Sequence, residues 1–152
     1  MVESGYDKAP HDKALSKGIE IFKEYLDKNG TVVNEVKQGD ELDVRIKVRT
    51  TEKSYISNIV LIDLLPGGFE VIRDSVPRNN GDWRSDYVDI REDRIVFYAG
   101  FSNHVTELHY KVKATAAGNF TVPSASADSM YDPDIVSHTA ASKIRVMPAD
   151  NF

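Results

Sequence analysis

Cysteine does not occur anywhere in the 152 residues. That absence excludes a disulfide scaffold, a thiolate zinc site and a thiol enzyme. No apolar stretch approaches the length of a membrane span, and no charged-then-apolar leader opens the chain. Membrane insertion by this segment is therefore not expected. Basic residues never run beyond two in a row and the formal net charge is −5, so a surface that tracks phosphates, and with it nucleic acid as a partner, is not expected. Histidine is sparse: His11, His104, His109 and His138 fit no HExxH or comparable ligand spacing and read as surface residues, so no metal site is expected. Asp128, Asp132 and Asp134 cluster, but without EF-hand spacing or the glycine its bend requires.

Catalytic signatures are missing too. There is no Gly-x-Ser-x-Gly elbow, no Ser-x-x-Lys and no triad order. Pro66-Gly67-Gly68 leads into a strand pattern, whereas phosphate binding needs a helix N-terminus. Neither enzymatic activity nor a cofactor is expected of this chain.

What is present reads as one soluble globular domain: 41% hydrophobic and 28% charged residues. Leu42, Val44, Ile46 and Val48 alternate with Asp43, Arg45, Lys47 and Arg49, and Leu108, Tyr110, Val112 and Ala114 alternate with His109, Lys111 and Lys113. Period-two alternation with one wet face is the signature of an antiparallel sheet. Ile59 to Leu65 is almost continuously apolar, as in a central strand covered on both sides or lying near a bulge. Ile19 to Leu26 fits either a helical face or a strand, and the Asp27-Lys28-Asn29-Gly30 turn favours the strand.

A long polar connection is expected from Arg73 to Asp86, holding the single tryptophan, Trp83; such loops are often functional. A short helix fits between Ser75 and Asp86. Trp83 reads as a packing anchor closing this loop, the alternative being a partner-contact residue. Turns every eight to twelve residues and frequent β-branched side chains give an all-β fold, an antiparallel β-sandwich of fibronectin III or immunoglobulin-like type. Residues 1–17 read as a polar linker or N-terminal extension, 18–147 as the sandwich and 148–152 as a C-terminal tail.

Five segments carry a family likeness: Gly18-Ile19-Glu20 with a strand through Tyr25; Val36-Lys37-Gln38-Gly39-Asp40-Glu41-Leu42; Asn58 through Glu70; Asp86 through Arg94; and Ala127 to Pro133, which contains Met130-Tyr131-Asp132-Pro133. In order and spacing, from about Gly18 to Val146, the chain resembles the C-terminal macroglobulin-like domain of bacterial alpha-2-macroglobulins. The resemblance implies a macroglobulin-like β-sandwich and a non-catalytic role in a large periplasmic protease trap whose parent is lipid-anchored. In that family a protease cuts a bait region, and a hidden Cys-Gln thioester is exposed and captures it. The implied partners are the helical thioester domain of the same polypeptide and, indirectly, target proteases.

The family's Met-Tyr pair shields the thioester, and Met130-Tyr131 match it residue for residue. Read from composition alone, the same pair would place Met130 in the core and Tyr131 at a sheet rim. A competing function class is a cell-envelope sandwich acting in adhesion or ligand binding. A carbohydrate-binding module would use exposed aromatics such as Trp83, Tyr87 and Tyr98.

Overall fold

The computed structural model describes residues 14–77, 79–80 and 83–149, apart from the side chains of residues 79, 80, 83 and 84. The clean alternations become the strands β4 (Glu41–Thr50) and β10 (Thr106–Ala114), paired antiparallel at the centre of a four-stranded sheet. The ambiguous segment forms strand β2 (Ile19–Leu26) on the outer side of β4, and β6 (Phe69–Ile72) flanks β10. Register aligns inward residues across the sheet, as in the row Tyr25–Val44–Tyr110.

The facing sheet has seven strands in the order β1 (Leu15–Lys17), β13 (Val136–His138), β12 (Ser126–Ser129), β5 (Tyr55–Leu64), β9 (Arg94–Ser102), β8 (Trp83–Ile90) and β7 (Asn79–Asn80). The apolar run is thus a central strand, β5, lying between β12 and β9. A bulge interrupts its pairing between Ile56 and Ile59, and Asn58 there adopts φ 57, a left-handed conformation asparagine tolerates better than most residues. A third sheet, β11 (Gly118–Val122), β14 (Ser142–Met147) and β3 (Glu35–Lys37), closes one end, with β3 parallel to β14.

Between the two larger sheets lie Ile19, Ile21, Val44, Ile46, Val48, Leu108 and Val112 from one side and Ile59, Leu61, Ile95, Phe97, Ala99 and Phe101 from the other, all buried. Each large apolar side chain fully buried this way contributes about 1.5–3 kcal/mol. The Pro66-Gly67-Gly68 turn is capped by Phe120: Gly68 has φ +78, and a Cβ there would lie 2.5 Å from the Phe120 ring.

Three expectations change. The polar connection after Ile72 is shorter than the sequence suggests, because β8 begins at Trp83. Instead of a short helix, that region contains one 3-10 turn, Arg73–Ser75, the sole helical geometry among the described residues. The last residues of the stretch read as a linker join the seven-stranded sheet, since β1 pairs with β13.

The two outward faces differ sharply. That of the four-stranded sheet carries a lattice of charges, with Glu24–Arg45, Glu20–Arg49 and His109–Asp43 pairs across strands, apart from an exposed Phe22. On the seven-stranded sheet, register places Val136, Asp128, Val60, Tyr98 and Tyr87 in one outward row and Ile62 beside Val96 in the next. Ser126, His138 and Asp89 complete that second row, so this face mixes apolar and polar residues.

Candidate functional site

Met130 and Tyr131 sit in the turn between β12 and β13, and the turn is stiff because its backbone is satisfied locally. Ser129 N–H donates to Ile135 O at 3.1 Å and Ile135 N–H to Asp132 O at 3.1 Å. Ser129 Oγ accepts from Tyr131 N–H at 3.3 Å and from Asp132 N–H at 3.1 Å. Asp132 Oδ1 accepts from Asp134 N–H at 3.0 Å, a short Asx-type turn. Pro133 follows directly, with no N–H to satisfy. Met130 N–H donates 2.9 Å to Asn58 O, so the β5 bulge holds the start of the turn. Ile135 is buried beneath it, and a Cβ on Gly18 would lie 3.1 Å from its Cγ1.

Their side chains are the converse of their backbone. Met130 is 51% exposed and Tyr131 78%, so neither belongs to the domain's core, and the composition-only placement of Met130 is overturned. The reason is parity. Ser126 and Asp128 occupy outward positions of β12, and Met130 continues that series past the strand's end. A thioether and a phenol side by side offer soft apolar contact and one hydroxyl for hydrogen bonding. They include no nucleophile activated by a base.

Trp83 opens strand β8, and its side chain lies outside the described residues, as does any contact it makes. Asp132 of the carboxylate cluster is engaged by the backbone of its own turn. Among the described residues no group of three His, Asp or Glu side chains is placed to hold a metal ion. No helix among them is long and apolar enough to cross a membrane.

Sequence reasoning missed a buried polar cluster. Asp63 Oδ1 pairs with Lys23 Nζ, and Tyr110 Oη donates to Asp63 Oδ2. The Lys23 and Asp63 side chains are 3% and 0% exposed. Lys23 Nζ also donates to Leu64 O at 3.3 Å and sits 5.1 Å from the Tyr25 ring centroid. Burial, the largest single influence, would lower the Lys23 pKa, but the charges of Asp63 and Tyr25 and the hydrogen bonds to them together hold the ammonium above its ordinary value. Burial pushes the Tyr25 phenol up to about 12, with Lys23 opposing in part, and raises Tyr110 further with help from the Asp63 charge. Two signals were available. Asp63 interrupts an apolar strand, and Lys23 takes an inward place in the series Ile19, Ile21, Lys23, Tyr25.

Antiparallel sheets packed as a sandwich around a buried ion pair, with an exposed Met-Tyr turn at one edge, make this an all-β sandwich domain. The family model "Bacterial Alpha-2-macroglobulin MG10 domain" matches residues 18–134. The chain is 35% identical over 157 residues to an alpha-2-macroglobulin homolog of Yersinia pestis, covering 88% of this chain and 8% of the relative. It is 39% identical over 141 residues to an alpha-2-macroglobulin of Rickettsia conorii, again covering 88% and 8%. Its fold is similar to part of native Escherichia coli alpha-2-macroglobulin, with TM-score 0.83 at 20% identity over 95% of this chain and 10% of that one. The chain belongs to the bacterial alpha-2-macroglobulin family, as its MG10 domain. It spans about 8% of the length of these two relatives.

Proposed function

We propose that this domain serves a bacterial protease trap as a non-catalytic shield, the Met130–Tyr131 turn covering the reactive thioester of a neighbouring domain until a protease cuts the bait region. The observation that carries the reading is a stiff turn presenting two exposed apolar side chains with no role in the domain's own core. A thioester within reach of water hydrolyses before any protease arrives, and a thioether beside an aromatic ring excludes that water. Rearrangement needs the shield to detach, which suits an interdomain contact of modest size.

Escherichia coli alpha-2-macroglobulin is activated by porcine elastase and by trypsin, and a Salmonella relative reacts with methylamine. For the parent of this chain, proteases are correspondingly the species trapped, in the periplasm, with the parent lipid-anchored.

The test is Tyr131→Ala in a thioester-bearing full-length parent. Thiol released by methylamine is titrated over time. An aromatic anchor of this kind contributes about 2 kcal/mol to a contact, which corresponds to a roughly thirty-fold faster release. A release rate equal to wild type sinks the shielding role.

A further inference from the structure

The four-stranded sheet ends on β2 at one side and on β6 at the other. The β2 edge is partly covered, since Val33 N–H donates to Tyr25 O at 3.0 Å and a bridge joins Leu26 to Val32. The β6 edge has no such cover among the described residues. Register fixes which of its backbone groups are left over. Just past β10, Thr115 N–H donates to Gly68 O at 2.8 Å, whereas Ala114 N–H turns away to Asp40 O at 3.0 Å. Antiparallel pairing alternates bonded with non-bonded residues, so Lys113 bonds Glu70 and Lys111 bonds Ile72. The N–H and C=O of Phe69 and Val71 therefore point to the open edge. Neither residue has another hydrogen-bond partner among the described residues.

A groove of about 750 Å³ runs along this edge from Gly68 to Asp74, with Thr115 and Glu92 completing its lining. Glu92 belongs to the turn between β8 and β9, and that turn is anchored because Leu65 N–H donates to Asp93 O at 2.9 Å. The groove thus occupies the place where the sheet's next strand would run. Its lining is acidic: Glu70, Asp74 and Glu92 are exposed and form no ion pair among the described residues. Arg73, the cation of the described lining, donates from Nη1 to Ile90 O at 3.2 Å. Lys113 stands across from Glu70 in β10 without closing an ion pair to it. Charges on an exposed edge discourage pairing with other chains, but carboxylates repel only a like-charged strand and attract a basic one.

We propose that the β6 edge takes up an extended basic peptide as a fifth strand of its sheet. The peptide backbone bonds the free N–H and C=O groups of Phe69 and Val71, and its lysine or arginine side chains face Glu70, Asp74 and Glu92. Strand addition of this kind draws affinity from main-chain hydrogen bonds and specificity from side chains at alternate positions. Unpaired edge groups ask for an extended backbone, and the unpaired carboxylates ask for cations. A second copy of β6 fits this groove badly, because carboxylates would meet carboxylates across the new strand pair. Since β6 and the Met130–Tyr131 turn belong to different sheets, the proposal stands independently of the shielding reading.

NMR titration and amide hydrogen exchange on this chain test it with three end-capped peptides: alternating Lys-Val, the same peptide with every valine replaced by proline, and alternating Glu-Val. Expected with the Lys-Val peptide are saturable shifts over Phe69–Ile72 and many-fold slower exchange of the Phe69 and Val71 amides, with neither effect from the other two. The double variant Glu70→Gln, Glu92→Gln should bind several-fold more weakly at an unchanged urea midpoint, and added salt should weaken binding likewise. Equal shifts with the proline peptide, which cannot form a ladder, overturn strand addition. Equal binding of the Glu-Val peptide overturns the choice of a basic partner. Slowed exchange that grows with chain concentration in the absence of peptide assigns the edge to a second copy and overturns the peptide occupant. Unchanged exchange of both amides with every peptide overturns the proposal outright.

Discussion

Asp63→Ala takes away the carboxylate that pairs with Lys23 and accepts from Tyr110. Removing one partner of a buried ion pair costs about 3–5 kcal/mol, because a charge is left in a low-dielectric interior. The orphaned Tyr110 hydroxyl would cost about 1–3 kcal/mol by itself. Both losses trace to one carboxylate and partly overlap, so about 4 kcal/mol is the expected total. For a domain whose whole stability is about 5–15 kcal/mol, that is a large share. With a urea m-value of about 2 kcal/mol/M, the unfolding midpoint falls by about 2 M.

The triple variant Lys23→Met, Asp63→Leu and Tyr110→Phe removes every member of the cluster and should recover most of the loss, since an apolar replacement is often neutral or better. Chemical unfolding of the wild type, Asp63→Ala and the triple variant supplies the measurement. A midpoint shift under about 0.5 M for Asp63→Ala, or a triple variant as unstable as the single, refutes the reasoning.

The pH dependence of the same pair has a definite sign. Lys23 titrates above its ordinary value in the fold, so its contribution is fully present below the unfolded lysine value and disappears as pH rises through the folded one. Above pH of about 10.5 the wild type should lose stability more steeply than the triple variant; equal slopes in urea titrations count against the pair. His109 lies 3.0 Å from Asp43 and 2.6 Å from Glu107. Burial works to lower its pKa, but those hydrogen bonds and charges raise it overall. Its contribution is therefore present below the unfolded histidine value and fades as pH rises through the folded one, and NMR should find His109 titrating above the ordinary value. Gly68→Ala, at positive φ and against Phe120, should cost about 1–3 kcal/mol by strain and overpacking, read as a lower melting temperature. Tyr131→Ala in this chain alone should change stability by less than about 0.5 kcal/mol, as expected for an exposed side chain with no core contact; a larger loss in urea unfolding means the turn has a structural task.

How much of this was legible depends on how local the determinant is. The period-two alternations at Leu42–Val48 and Leu108–Ala114 specify β4 and β10 because each inward residue meets the core at every second step. The early start of β8 escaped notice because Arg84-Ser85-Asp86 is polar; pairing with β7 at Trp83 and Arg84 and with β9 from Ser85, not propensity, makes it a strand. The three-residue β3, parallel to β14, carries too short a pattern to announce itself. Lys23 and Asp63 meet across forty residues, a distance no periodicity encodes. At the candidate site the Met130-Tyr131 motif was legible as a likeness, but its exposure was not. That followed only once the outward parity of Ser126 and Asp128 was known. The near-continuous apolar run of β5 read as a central strand covered on both sides or lying near a bulge; the strand is central and a bulge interrupts its pairing between Ile56 and Ile59.

The most direct measurement compares thiol release by methylamine in a thioester-bearing full-length parent carrying wild-type Tyr131, Tyr131→Phe or Tyr131→Ala, each first shown to unfold at the same urea concentration. Shielding by ring burial predicts that the phenylalanine variant stays near wild type, because the apolar cover persists, while the alanine variant releases thiol many times faster. Three indistinguishable rates would contradict the account.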